Sequence, residues 1–154
     1  MENPKTIGTF FSMLSFTIGI LLFSIFILLS AIHFYWGLGG KWGTNASIPT
    51  NENNKQIMHP KLLDCFVVGT GLLSFGVFIL IKIKIVSFDL PSFLLKYGLT
   101  AISILFILRA TGEFKYAGFF KKIKNTHFGQ MDTKYYSPLC LLIGILGIML
   151  ELIQ

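Results

Sequence analysis

Four apolar stretches, at residues 7–34, 62–81, 93–112 and 136–153, alternate with short segments that hold almost all of the charge. A helix needs about 20 apolar residues to cross a bilayer, and each stretch reaches or approaches that length. Hydrocarbon offers no partner to a backbone N–H or C=O, so stretches of this kind cross as helices. The pattern predicts an all-α fold, a transmembrane four-helix bundle, with residues 1–154 forming a single integral membrane domain. The first stretch is longer than a bilayer requires and is expected to tilt or to project past the headgroups. The third is the weakest, because Lys96 lies near its start and Arg109 near its end. It spans fully only if Arg109 sits at or just inside the interface. Gly69, Gly71, Ser74 and Gly76 in the second span, and Gly144 and Gly147 in the fourth, are small residues that let helices approach. Pro138 fits a first helical turn, where its missing N–H is not needed.

The connections differ in kind. Residues 37–60 are rich in Gly, Asn, Thr and Pro and read as irregular. Between spans three and four, Tyr116, Phe119, Phe120 and Ile123 follow the i, i+3, i+4, i+7 spacing of one helical stripe. Lys115, Lys121, Lys122 and Lys124 fall off that stripe. This predicts a short interfacial amphipathic helix, with an ordinary loop carrying snorkelling lysines as the alternative.

Composition agrees with the pattern. Hydrophobic residues make up 53% and charged residues 13%, against about 25% charged in a soluble domain. The net charge of +6 sits beside apolar spans, so its expected partner is membrane lipid. Anionic headgroups would be met by Lys115, Lys121, Lys122 and Lys124. No basic segment stands clear of the membrane, and nucleic acid is not expected as a partner. The first stretch is too long for the apolar core of a cleaved signal, about 7–15 residues, and reads as a retained span. Cys65 and Cys140 form no CxxC or zinc spacing and read as buried small residues. No metal site and no cofactor is expected. High Lys, Ile, Phe and Asn usage hints at an AT-rich bacterial genome.

Parity places the first and third loops on one membrane face. That face collects His33, Trp36, Lys41, Trp42, His59, Asp64, Arg109, Glu113, His127, Asp132, Tyr135 and Tyr136. Ionisable groups near membrane depth persist mostly when paired or functional. Arg109 and Glu113 are four apart and are expected to pair, either as a helix-end ion pair or as an anchor for an anionic ligand group. His33 is the best proton-transfer candidate by its ordinary pKa, and an interfacial hydrogen-bonder by default. Asp64 either complements the start of a helix or joins a polar cluster. The run from Gly37 to Gly43 lacks P-loop spacing, and its Trp36 and Trp42 read as headgroup anchors. Nine Lys and Arg flank this face (Lys41, Lys55, Lys61, Arg109, Lys115, Lys121, Lys122, Lys124, Lys134) and four the other (Lys5, Lys82, Lys84, Lys96). The positive-inside rule therefore predicts loops one and three in the cytoplasm and both termini outside.

Three segments carry a resemblance. His33-Phe34-Tyr35-Trp36-Gly37-Leu38-Gly39-Gly40-Lys41-Trp42-Gly43 resembles the first signature of domain of unknown function 3995, a family of small bacterial membrane proteins. Leu108-Arg109-Ala110-Thr111-Gly112-Glu113-Phe114 with Gly118-Phe119-Phe120-Lys121-Lys122 resembles the second. Asp132-Thr133-Lys134-Tyr135-Tyr136-Ser137-Pro138-Leu139-Cys140 resembles the third. The second signature often has Asp where this chain has Glu113, so the carboxylate is kept. The resemblance implies four spans and a bacterial inner (plasma) membrane, and it implies no activity. The residues themselves leave three functions open. One is a module binding a lipid, amphiphile or protein partner at the face of loops one and three, with His33, Trp36, Lys41, Trp42, Asp64, Arg109, Glu113, Asp132 and Tyr135 as the candidate polar cluster. The second is a membrane enzyme for a lipophilic substrate, with His33 as acid–base and Arg109 as anion anchor. The third is a transporter or channel subunit, which would require a homo-oligomer.

Overall fold

Nothing in the first apolar stretch interrupts a helix, since no proline follows Pro4 until residue 49. In the computed structural model, which describes residues 4–51, 55–58 and 60–154, α1 accordingly runs unbroken over Pro4–Gly37. At 1.5 Å per residue it is about 50 Å long, well beyond the roughly 30 Å hydrocarbon core. It stops in a glycine-rich turn in which Gly39 takes φ 89°, a left-handed conformation open to glycine. A short helix, α2 (Thr44–Ser47), and an isolated antiparallel bridge between Thr50 and Gln56 shape loop one.

The second long helix, α3 (Leu62–Lys82), starts where the Asp64 carboxylate accepts the backbone N–H of Lys61 at 2.8 Å. That is the reciprocal half of a capping box. Pro91 sets the start of α4 (Ser92–Thr111), and Gly112 at φ 87° ends it. Thr126 caps α5 (His127–Met131) by accepting the N–H of Gly129 at 3.1 Å. A π turn, Asp132–Tyr136, then leads into α6 (Ser137–Leu152). The fourth span is thus helical from His127 onward, nine residues before the predicted start. Among the described residues, four helices are long and apolar enough to cross a membrane: Thr6–Gly37, Leu62–Lys82, Ser92–Thr111 and His127–Leu152. The molecule is a small multi-pass membrane protein built as a four-helix bundle.

Two helix pairs, α1 with α3 and α4 with α6, form the bundle, and α6 also touches α1. Small residues make each seam. Ser30 Oγ donates to the Gly69 carbonyl at 2.8 Å, and a Cβ on Gly69 would stand 3.1 Å from the Phe34 ring. Gly147 faces the Ser103 hydroxyl so closely that a Cβ there would collide with it. Gly71, by contrast, faces open space. Phe26, Phe75 and Phe106 stack edge to face with centroids 5.5–6.5 Å apart, joining the pairs at the core. Phe10, Met13, Leu28, Val67, Leu108 and Leu152 stay exposed, as lipid-facing side chains do.

The interfacial helix predicted from Tyr116, Phe119, Phe120 and Ile123 does not form, and residues 113–126 are irregular. Gly112 and Gly118 both take left-handed conformations and press backbone against backbone. Phe119 N–H donates to Ala110 O at 2.9 Å, Lys122 to Phe114 O and Ile123 to Lys115 O at 3.1 Å. The segment therefore folds back on the end of α4. Phe120 is exposed and Lys121 is 1% exposed, the reverse of the stripe.

Candidate functional site

Asp132 opens the π turn and is fully buried. Its two carboxylate oxygens receive four donors: Arg109 Nη2 at 3.1 Å, the Gly118 N–H at 2.7 Å, Lys121 Nζ at 2.9 Å and Ser137 Oγ at 3.0 Å. A buried carboxylate is tolerable only with this kind of saturation. Each neighbour is placed by its element. Arg109 sits in the last turn of α4, Gly118 and Lys121 are brought in by the folded-back loop, and Ser137 opens α6. On a regular helix, residues five apart point about 140° away from each other. The wider π turn, closed by the Ser137 N–H on the Asp132 carbonyl, brings Ser137 and Asp132 to one side. Single π turns of this kind are frequent at functional sites.

Lys121 Nζ also donates to the Gly118 carbonyl at 3.1 Å and to Thr133 Oγ1, so its three protons are used. Arg109 differs. Its side chain is 40% exposed. Among the described residues it donates a single hydrogen bond to protein, out of five N–H groups. Two cations face one anion, and the uncompensated charge sits on the guanidinium that is open to its surroundings.

The other predicted site residues lie elsewhere. Among the described residues, no hydrogen bond or ion pair joins His33, Asp64 or Glu113 to Arg109 or Asp132. Glu113 lies beyond the end of α4, where the turn at Gly112 carries it off the helix face, so the four-residue spacing from Arg109 is lost and no pair forms. Asp64 is an exposed helix cap. His33 Nδ1 contacts the Leu29 carbonyl at 2.8 Å and its ring meets Trp36 edge to face at 5.2 Å. Trp36 Nε1 donates to the Trp42 carbonyl at 2.8 Å, which fixes the glycine-rich turn. Lys41 and Tyr135 are exposed, with Lys134 Nζ 5.0 Å from the Tyr135 ring. Loops one and three meet where Ser47 Oγ and the Tyr136 hydroxyl stand 3.4 Å apart. His59 lies outside the described residues. Cys65 and Cys140 are both free. Among the described residues, no group of three His, Cys, Asp or Glu is placed to hold a metal ion.

Three charged residues that the local sequence does not mark as partners are paired: Lys121, Lys82 and Glu151. Glu151 pairs with Lys82 at 3.0 Å across the other end of the bundle. Glu151 is the sole acidic residue of α6, and parity puts it beside the end of the second span, so a signal was present.

The centre of the site is made from the second and third of the segments that carry the resemblance, and the first lies outside it. The model of a protein family of unknown function, DUF3995, matches residues 26–147. The chain belongs to the DUF3995 family. Arg109, Lys121, Asp132 and Ser137 all fall inside the DUF3995 match. No curated protein and no solved structure matches the chain.

Proposed function

We propose that the face formed by loops one and three binds an anionic lipid headgroup, with Arg109 as its anchor. The observation that supports this is the half-open guanidinium of Arg109, held by a saturated, buried Asp132 and left with unused donors. A planar guanidinium fixed at one edge presents its remaining N–H groups to a phosphate as a fork. Exposed Lys115, Lys122 and Lys124 on the neighbouring loop add attraction toward an anionic surface. Lys121 contributes none, since its ammonium is used internally. Trp36 and Trp42 would settle at the same headgroup level. The lysine asymmetry supports a cytoplasmic position for this face, and the composition supports a bacterial plasma membrane.

The test uses the full chain in bilayers and reads Trp36 and Trp42 fluorescence. Brominated phosphatidylglycerol should quench more strongly than brominated phosphatidylcholine. Arg109→Gln should weaken the anionic preference about tenfold, the value of one charge-assisted hydrogen bond. Equal quenching by the two lipids in the unaltered protein would sink the reading.

A further inference from the structure

The opposite end of the bundle holds a second polar centre. Lys82, the last residue of α3, donates to the Leu95 carbonyl at 2.9 Å and to Glu151 Oε1 at 3.2 Å. Glu151 Oε2 stands 3.0 Å from the same ammonium, yet among the described residues it has no hydrogen-bond partner. Gln154 Nε2 donates to Ser15 Oγ and to the Lys82 carbonyl, each at 3.2 Å. Residues from all four long helices thus meet around one ion pair.

A cavity of 840 Å³ opens beside it, within the roughly 300–1,000 Å³ usual for ligand sites. Its lining joins the ion pair to the rings of Phe11, Phe16 and Phe88. Among the described residues, its charged lining is Lys82, Lys84, Asp89 and Glu151, two cations and two anions. Gly8 also lines it, and a Cβ there would meet nothing within 4 Å. Glycine is a poor helix residue, so its place on the cavity wall keeps space open at a position where a larger residue would suit the helix better.

We propose that this cavity binds a zwitterionic lipid whose headgroup carries an N–H donor beside a phosphate. A balanced lining disfavours a purely anionic or purely cationic head, and the aromatic wall suits acyl chain. The phosphate pairs with Lys82 and Lys84. The ammonium donates to Glu151, where rotation of the carboxylate turns its unpartnered oxygen toward the ligand. A primary ammonium can make that bond, and a trimethylammonium cannot. The site is independent of Arg109 and lies at the other membrane face.

The experiment is native mass spectrometry of the full chain with phosphatidylethanolamine and phosphatidylcholine of identical acyl chains. The unaltered protein should prefer phosphatidylethanolamine about tenfold, as one charge-assisted hydrogen bond gives. Glu151→Gln should remove the preference. Gly8→Leu should abolish occupancy by both lipids and, having open space around it, keep the fold, so the test stands even if Glu151→Gln does not fold. Arg109→Gln should leave the preference unchanged, which separates this site from the anionic one. Soluble phosphoethanolamine at equal concentration should fail to displace the lipid, and displacement would overturn the lipid assignment. Equal retention of the two lipids, or a preference that survives Gly8→Leu, would overturn the site.

Discussion

At the scale of single residues, burial separates groups that the sequence presents as equals. Arg109, Lys121 and Lys96 are all cations beside apolar spans. Lys96 stays exposed, 5.2 Å from the Tyr97 ring. Lys121 is sealed against Asp132 with no exposure on either side chain. Removing the Asp132 charge strands a buried ammonium, a change that costs about 3–5 kcal/mol. Lys121→Met removes the cation together with its need, and Asp132 keeps three donors, so its effect should be smaller. Arg109→Ala removes a partly exposed pair, worth about 1 kcal/mol or less. We therefore expect thermal unfolding in detergent to rank Asp132→Asn as most damaging, then Lys121→Met, then Arg109→Ala, with Lys96→Ala within about 0.5 kcal/mol of the parent. Lipid binding should show Arg109 first among these for those variants that fold. A larger stability loss for Arg109→Ala than for Asp132→Asn would mean that the carboxylate is not the keystone. Arg109 and Asp132 were legible as candidates because charge near a span is visible in the sequence. The burial of Lys121 was not, because it depends on a partner 11 residues away and on a chain reversal between them.

At the scale of elements, hydrophobic length was enough to read four helices, whereas local periodicity misread the third loop. A stripe of Tyr116, Phe119, Phe120 and Ile123 is a weak preference beside the requirement that Asp132 be satisfied, and the loop folds to meet that requirement. The π turn has a comparable cause. Pro138 has no N–H for the Lys134 carbonyl and its ring crowds that carbonyl in a tight α turn, so the turn widens and the Ser137 N–H donates to Asp132 O rather than to Thr133 O. Pro138→Ala restores the donor and lets the turn tighten, which should swing Asp132 away from Ser137. We expect that variant to lose about 1 kcal/mol, one hydrogen bond, with Ser137→Ala losing a similar amount and the double variant little more. Full additivity of the two losses would show that the turn does not serve the Asp132–Ser137 bond. The glycines divide in the same manner. Gly71→Leu, into open space, should be tolerated. Gly147→Leu, into Ser103, should lose about 1–3 kcal/mol by overpacking. Equal melting temperatures for these two variants would contradict the α4–α6 seam.

At the scale of the whole molecule, the bundle is two helix pairs tied at the core by three phenylalanines and at each face by a buried or half-buried charge centre. Asp132 closes one face and the Lys82–Glu151 pair the other. The sequence made the first face conspicuous, since its histidines, tryptophans and signature segments crowd there. It marked the second only through parity, since two isolated charges far apart in the chain carry no local pattern. Orientation follows from the same asymmetry of charge. Eight of the nine basic residues flanking the Asp132 face remain after Lys121 is set aside as internally paired, still twice the four of the opposite face. Because Lys and Arg near span ends decide topology, the loops at the Asp132 face should stay in the cytoplasm. In a background with Cys65 and Cys140 replaced and shown to fold, a cysteine at exposed Asn125 should resist an impermeant thiol reagent applied to intact cells, and one at exposed Ser87, in the connection between α3 and α4, should react. Lysis should make both react. Labelling at Asn125 with protection at Ser87 inverts the molecule while keeping four spans, and it would place the Arg109 anchor against the outer leaflet. Identical behaviour at the two positions in intact cells would break the four-span arrangement itself, because α4 alone separates them.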